Sequence, residues 1–301
     1  MARRERFLGG MNEAMTWQPM VALIEPHYLA AGQGTQPMPL ERMPRIHFMQ
    51  RWFNGLDPAM GDALHDSESM RRFAGIELVE DAFPDESTVL HFRHLLEKQH
   101  LGAAIFATVR TQLEAQGLLL KSGTIVDATI LAAPSSTKNA RGQRDPEMSS
   151  TRKGQAWHFG LKAHIGVDAQ SGLVHSVQTT PASTHDATML EALLHGEETA
   201  LVADSAYGNM TLKAYCREAG LHYLITDKAA RSVKLSGKQH RTNRKKSSVR
   251  GKVEFPFRII KQLWGHTKVR YRGLLKNASQ LHVLFALSNL FQARKQLLAL
   301  A

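Results

Sequence analysis

Three carboxylates have types and positions suited to chemistry. Asp127 interrupts a β-branched stretch that predicts a strand, where aspartate is rare and an unpaired charge is costly to bury. Asp204 ends a short apolar strand, at the carboxyl edge where α/β proteins place their sites, and Glu254 lies in a strongly basic segment. Carboxylate oxygens are the ligands that hard divalent cations prefer, and phosphodiester cleavage or transfer uses two such cations about 4 Å apart. The three acids therefore predict metal-dependent phosphodiester chemistry.

The charge distribution predicts a polyanionic partner. The whole chain has a net charge of +11, and residues 228–276 alone hold sixteen Lys or Arg and one acid, Glu254. Such a concentration favours phosphate neutralisation over scattered solubilising charge, so we expect nucleic-acid binding. An ion pair with Arg250 and Arg258, four residues either side, is the alternative interpretation of Glu254.

Composition excludes several protein classes. With 43% hydrophobic and 22% charged residues, the chain is typical of folded globular proteins, not of collagen-like, mucin-like or wholly disordered ones. No apolar run approaches the ~18 residues that span a bilayer, and the start MARRERFLGG lacks the apolar core of a secretory signal. The single cysteine, Cys216, is expected to be a small buried residue in a reducing cytoplasm.

The first third of the chain predicts helices. Apolar residues recur at helical spacing over 45–53 and 58–64. Another helix is expected to begin after Pro84, capped by Asp85 or a following serine, and a further one to cover 102–116 and end at Gly117. The basic pair Arg71 and Arg72 is either a DNA contact or a solvated helix face.

From Gly123 onward the pattern predicts a sheet. A strand at 124–130 is followed by a polar loop, 134–155, and by an alternating hairpin that turns at 169–172. The remaining predicted elements are a helix from 183 or 184 to 195, a strand at 201–204, a helix at 211–219, a strand at 222–226, a basic linker and further helices. A meander followed by βαβ units implies a mixed sheet with helices on both faces.

Long motifs make the chain similar to a known family. The segments that carry the likeness are RIHFMQRWFNGLDPAM, DSESMRRFAGIEL, PDESTVLHFRHLLE, TIVDATILAAPSSTKN, RDPEMSSTRKGQAWHFGLKAHIGVD, ADSAYGN and KVEFPFRIIKQLWGHTKVRYRGLLKN. They resemble the insertion sequence five family of bacterial DDE transposases over nearly the whole chain. The resemblance implies an α/β, RNase H-like catalytic domain at 118–301, which contains the basic segment 228–276. A smaller all-α region at 1–117 would serve DNA binding and assembly.

The resemblance also assigns roles to the acids. Asp127, Asp204 and Glu254 map to the catalytic triad of the family and would hold two Mg²⁺ ions, with Mn²⁺ as a substitute. Asp127 would bridge both ions, Asp204 would hold the ion on the nucleophile side, and Glu254 the ion on the leaving side. Water would cut at the transposon end, and the freed 3′ hydroxyl would attack target DNA in line without a covalent enzyme intermediate.

Further residues follow from the family's glutamate signature. Its arginine and lysine fall on Arg250 and Lys261, expected to contact DNA unless they pair with Glu254, whereas its tyrosine would fall on Ser247 and is absent. The other predicted DNA contacts, all in the basic segment, are Lys245, Lys246, Arg258, Lys268, Arg270 and Arg272. Tyr207, His164 and Lys162 are possible accessory residues of the site. For His164 we expect a role in packing or near the substrate and not as a metal ligand. Trp157 and Trp264 are expected in the core.

The expected partner is double-stranded DNA, as terminal inverted repeats and as target. Because two ends must be processed together, we expect a homodimer or a larger assembly on DNA, in the bacterial cytoplasm and associated with the nucleoid. Three alternatives stay open: a nuclease of the same fold that cuts without joining, a DNA-binding protein without activity, and a structural basic protein, which the strand aspartates disfavour.

Overall fold

The computed structural model describes residues 2–28, 37–229 and 234–300, which form two compact units. The helical unit contains the described residues up to 112, 263–266 and those from 279 onward. The sheet unit contains 113–262 and 267–278, apart from the undescribed residues 230–233. The division at 112 and 113 falls near the boundary expected at 117 and 118. The residues from 279 onward, which we expected in the second domain, group with the helical unit.

The helical unit is built from short amphipathic helices. Their bounds are α1 (Arg3–Ala14), α2 (Trp17–Ile24), α3 (Arg42–Phe53), α4 (Asp57–Asp66), α5 (Glu68–Ala74), α6 (Glu86–Lys98), α7 (Leu101–Ala115) and, from residue 279 onward, α12 (Leu274–Leu300). A 3₁₀ turn, Glu25–His27, follows α2. The predicted cap of α6 is confirmed, because the Asp85 side chain accepts a hydrogen bond from the Thr88 amide. Gly117 adopts φ +65° just after α7, as expected for a helix stop.

Aromatic side chains form the centre of the helical unit. The Trp52 ring meets Phe73 edge-on at 5.5 Å between centroids, and Trp17 stacks on Phe48 at 6.0 Å. Trp52 and Phe48 are almost completely buried. Such pairs add to the apolar burial that holds short helices together, since none of these helices is stable alone.

The described part of the sheet unit contains six strands. They are β1 (Thr124–Ala132), β2 (Ser149–Lys153), β3 (Ala156–Asp168), β4 (Val174–Pro181), β5 (Ala200–Ala203) and β6 (His222–Ile225). The helices of this unit are α8 (Leu190–Leu193), α9 (Met210–Glu218), α10 (Gly237–Arg250) and α11 (Glu254–Arg258). Two 3₁₀ turns, Asp186–Met189 and Gly251–Val253, precede α8 and α11, and a π-helical turn, Ile259–Leu263, follows α11.

The sheet is mixed. β3 pairs antiparallel with β1 on one edge and with β2 and β4 on the other, while β1, β5 and β6 run parallel. Val126, Leu201 and Ala203 form a buried cluster with Leu193 of α8 and Cys216 of α9 on one face. The opposite face carries Asp127. The 3₁₀ turn Gly251–Val253 packs against β1 and α10 contacts β5, so helical elements flank the sheet, as predicted.

Gly160 lies where β3 is paired on both sides, with Ala132 of β1 and Ser149 of β2. A Cβ atom at this position would overlap the carbonyl oxygen of Leu131. The close approach of the backbones therefore requires glycine.

The structure corrects several predictions. The loop expected at 134–155 contains β2, because Ser149–Lys153 pair with the start of β3. The basic linker contains the 14-residue helix α10, whose Ser236 and Gln239 form a reciprocal capping box that marks its start. The helix expected from 183 or 184 to 195 is only a 3₁₀ turn followed by α8. Cys216 is buried, as expected.

None of the helices in the described ranges combines the length and apolar character that a membrane crossing requires.

Candidate active site

Asp127 lies in β1, and Asp204 directly follows the neighbouring parallel strand β5. The pairing of β1 with β5 sets Thr124 beside Leu201 and Ile125 beside Val202. Continued by two residues, the same register sets Asp127 beside Asp204, and paired residues of neighbouring strands point to the same face. The sheet therefore brings together two acids that are distant in sequence.

The electrostatics of Asp127 reflect this neighbourhood. Burial raises the pKa of the Asp127 carboxyl, and the negative charge of Asp204 raises it further. The Ala128 amide, which donates to Asp127 Oδ1 at 2.8 Å, and the Arg250 guanidinium lower the same pKa. A second cation beside the two carboxylates would relieve their mutual repulsion.

Arg250 reaches Asp127 from the last residue of α10. Its Nη1 atom lies 3.3 Å from Asp127 Oδ2, and both side chains are partly exposed. Within the described ranges, Glu254 forms no ion pair, so the alternative pairing of Arg250 with Glu254 is not observed. Arg250 instead ties the basic helix to the first acid.

Glu254 is the first residue of α11 and its side chain is exposed. The preceding residue, Val253, is fully buried, and the 3₁₀ turn that contains it packs against β1. Pro256, in the first turn of α11, fits the helix start that its position predicts. Glu254 thus projects into an open groove of about 350 Å³, which Arg258 and Lys261 also line.

Lys261 fastens the chain after α11 to β1. Its ammonium donates to Thr129 Oγ1 and to the Ile130 carbonyl oxygen, both at 2.7 Å. Burial lowers the pKa of Lys261, and the positive charge of Lys153 lowers it as well. Lys261 was predicted as a DNA contact. In the structure its ammonium joins the segment after α11, which lines the groove beside Glu254, to β1, the strand that contains Asp127.

The accessory residues Lys162 and His164 lie on the opposite face of the sheet from Asp127. Lys162 forms an ion pair with Asp186 at 2.8 Å and donates to the Thr184 carbonyl oxygen. His164 is completely buried, with Nε2 2.8 Å from Thr180 Oγ1 and Nδ1 3.9 Å from Asp186. Both side chains therefore act in packing and in fixing the turn at Asp186.

His164 should make the stability of the sheet depend on pH. Burial lowers the pKa of its imidazole to about 4, against 6.5 in an unfolded chain. Between these values the unfolded state binds more protons, so stability falls as pH drops from 6.5 toward 4, by about 3 kcal/mol at most. Amide exchange of β3 should show this loss in the wild type and a shallower one in His164→Gln. The stability of each protein is expressed relative to its own value at pH 7.5. If the wild type and His164→Gln then lose stability equally as the pH falls, His164 is not the group responsible.

Tyr207 lies behind the carboxylates. It is 1% exposed, its amide donates to the Asp204 carbonyl oxygen, and its hydroxyl has no hydrogen-bond partner among the described residues. Burial raises the pKa of its phenol, and the charges of Asp186, Asp127 and Asp204 raise it further. The phenol thus stays neutral beside these acids.

The remaining basic residues of the sheet unit divide by exposure. Lys245, Arg258, Lys268 and Arg272 are exposed, and Arg270 is half-buried. The Lys246 ammonium caps β6 by donating to the Ile225 carbonyl oxygen at 2.6 Å. The Arg272 guanidinium also donates to the Arg144 carbonyl oxygen at 3.0 Å. Contact of the exposed members with DNA stays a prediction.

Arg71 and Arg72, the predicted basic pair of the helical unit, both form contacts with nearby residues of that unit. Arg71 donates to the carbonyl oxygens of Leu64 and His65 at the end of α4. Arg72 is exposed and pairs with Glu5 at 3.0 Å and Glu68 at 2.6 Å. Arg71 therefore holds the end of α4, and Arg72 lies on a solvated helix face. A contact of either residue with DNA stays a prediction.

The two tryptophans differ. Trp264 is buried, as expected, but Trp157 is 70% exposed, so the core prediction is wrong for it. Trp157 stands in the short part of β3 that pairs with β2, outside the region covered by helices.

Sequence reasoning missed two residues near the site. Asp186, in the 3₁₀ turn before α8, pairs with Lys162 at 2.8 Å and faces His164, and its charge also raises the pKa of Tyr207. Lys153 lies on β2 and its charge acts on both Asp127 and Lys261. The segment SSTRK is polar throughout, so no local signal could have located Lys153.

The donor set fits a hard divalent cation at the two aspartates. Both offer carboxylate oxygens, and their charges oppose each other. Among the residues that the structure describes, no three His, Cys, Asp or Glu side chains are grouped closely enough to hold a metal ion. Glu254 therefore stands apart from the aspartate pair.

Comparison with known families identifies the chain. The family model described as Transposase DDE domain matches residues 119–290, and that described as Transposase domain (DUF772) matches residues 1–95. No solved structure matches the chain. The expected RNase H-like fold is confirmed, and Asp127, Asp204 and Glu254 all fall within the first match. With more than half of its length matched by the Transposase DDE domain, this protein belongs to the DDE transposases of insertion sequences.

Proposed function

We propose that this transposase cuts DNA at the ends of an insertion sequence and joins the freed 3′ hydroxyl to target DNA. The observation that carries the proposal is the pairing of β1 with β5, whose register places Asp127 beside Asp204. Glu254, at the start of α11, supplies the third acid.

The chain's own residues perform distinct tasks. Divalent metals, which this family generally uses, supply charge stabilisation at the phosphate and an activated oxygen nucleophile when bound, and we propose two Mg²⁺ ions, with Mn²⁺ as substitute. Asp127 and Asp204 hold the cations from the sheet. Glu254 would supply a further carboxylate oxygen from the start of α11. The buried Tyr207 excludes water behind Asp204.

The basic segment supplies the DNA surface. In α10 no residue is buried, and six Lys or Arg occur in fourteen residues without an acid. A helix of this composition gains little from packing, so its charge is suited to phosphates. Its last residue, Arg250, contacts Asp127, and α10 therefore leads a bound backbone toward the carboxylates.

Removing positive charges from α10 should lower the affinity for DNA and make that affinity less dependent on salt. In Arg244→Gln/Lys245→Gln, two exposed charges are lost, and the slope of log Kobs against log[salt] should fall by about 1 to 2. Fluorescence anisotropy with duplex DNA at several salt concentrations measures both quantities.

The matched control is Lys213→Gln/Arg217→Gln, which removes two exposed charges from α9. Its slope should stay near that of the wild type. Equal slopes for both double variants would show that α10 has no special role.

We further propose that the active assembly contains at least two copies of the chain, because both ends of an element must be cut and joined together. Sedimentation of the protein with and without end DNA tests this. A single copy on paired ends would contradict it.

The decisive assay follows strand cleavage and joining on DNA that bears the terminal repeat, with Mg²⁺ and with EDTA. Cut ends and joined products that require Mg²⁺ would support the transposase chemistry. Cleavage without joining would favour a nuclease of the same fold. Binding without cleavage under any divalent metal would favour a DNA-binding protein without activity.

A further inference from the structure

A second groove lies within the helical unit, apart from the carboxylates. It has a volume of about 630 Å³, within the range of sites that bind small organic molecules. Four arginines line it: Arg3, Arg4 and Arg6 of α1, and Arg294 of α12. Among the described residues that line it none is acidic, so the groove is suited to an anion.

The floor of this groove is aromatic. Phe7 meets Trp52 edge-on at 5.3 Å, and Trp264 meets Phe291 at 6.1 Å. Trp52 and Trp264 are nearly buried, and Phe53 at the margin is 38% exposed. Phe53 is therefore the ring among these that can stack against a planar group, while the buried tryptophans support the groove from below.

Cation and ring lie close together at two places. The Arg294 guanidinium is 4.0 Å from the Phe291 ring centroid, and that of Arg4 is 5.6 Å from Phe53. Arg3, Arg4 and Arg6 are exposed, so their charges meet solvent at the mouth of the groove. A ligand that enters would meet positive charge first and aromatic faces below it.

We propose that this groove binds an unpaired nucleotide of DNA, with its base on the aromatic floor and its flanking phosphates on the arginines. In duplex DNA both faces of each base are covered by neighbours, and only an unpaired base presents a free face. The proposal rests on the proposed function, since it assigns to the helical unit the grip on a DNA end that the sheet unit cuts.

The test uses the full chain and an eight-nucleotide single strand with a central 2-aminopurine, whose emission falls when it stacks. Wild type should lower the emission at least about twofold, and the same sequence as a blunt duplex should show little change. In Phe53→Leu most of this quenching should disappear, and affinity measured by anisotropy should fall about fivefold. Arg6→Gln should weaken binding by about threefold while keeping partial quenching.

Matched controls lie outside the groove. Tyr215→Leu removes from α9 an aromatic ring that is 54% exposed, more than Phe53, and Lys98→Gln removes one exposed charge from α6. Both should stay within about twofold of wild type. Equal behaviour of Phe53→Leu and Tyr215→Leu would overturn the proposal, as would equal quenching with the duplex.

Two other outcomes are distinguishable. If Phe53→Leu changes the sedimentation of the free protein and leaves the oligonucleotide signal intact, a second copy fills the groove and the proposal is wrong. If the wild type quenches the emission of the base but never cuts DNA, the proposal for the groove is supported and the proposed cleavage and strand transfer are wrong.

Discussion

Asp127→Asn and Asp204→Asn are each expected to slow DNA cleavage by about 10³-fold or more. Asparagine keeps the size of the side chain but removes the charge that a divalent cation requires, and the charge stabilisation lost at the phosphate is several kcal/mol. The register of β1 with β5, continued to the residue after β5, sets the two aspartates side by side, so each variant breaks the same donor pair. Single-turnover cleavage of end DNA with Mg²⁺ measures the effect.

Affinity for the same DNA should change by less than about twofold, because the basic helix α10 supplies the phosphate contacts in this account. Glu254→Gln should also lose cleavage, whereas Glu191→Gln, an exposed glutamate in the first turn of α8, should not. Full activity in either aspartate variant would show that other acids carry the chemistry.

Gly160→Ala is expected to destabilise the sheet by about 3 kcal/mol or more. The added Cβ would overlap the Leu131 carbonyl oxygen, and this contact is to backbone, which cannot swing aside. Relief would require separating β3 from β1, the strand that carries Asp127. Amide exchange of β1 and β3 should therefore accelerate, and cleavage should fall with it.

Gly237→Ala is the control, since a Cβ at the start of α10 meets nothing within 4 Å. Its stability should stay within about 0.5 kcal/mol of wild type or rise slightly, because alanine favours a helix. Equal stability of the two variants would mean that β1 and β3 tolerate more space than the structure indicates.

The sequence predicted the parts of the site that follow from local pattern. Asp127 and Asp204 can be singled out because each is an acid in, or at the end of, an otherwise apolar strand. The register of the sheet brings the two acids next to each other. The contacts of Arg250 with Asp127 and of Lys261 with β1 were not predictable, because they join residues more than 120 positions apart. Spacing along the chain predicts only neighbours on one element.

The fold shows the same limit. The alternation over β3 and the capped start of α6 predict those elements well, since their signals are local. Strand β2 was missed because SSTRK is polar and is a strand only through pairing with β3. The helix α10 was missed because its polar sequence has no apolar face, and its capping box was the one available signal.

The central claim is that Asp127 and Asp204 bind the divalent cation. Asp204→Cys tests it most directly, because thiolate binds Mn²⁺ better than Mg²⁺. The account predicts a variant that is inactive with Mg²⁺ and regains at least about tenfold in cleavage rate with Mn²⁺, while Asp204→Ala regains nothing. Equal failure of both variants with Mn²⁺, with DNA binding intact, would contradict a ligand role for Asp204.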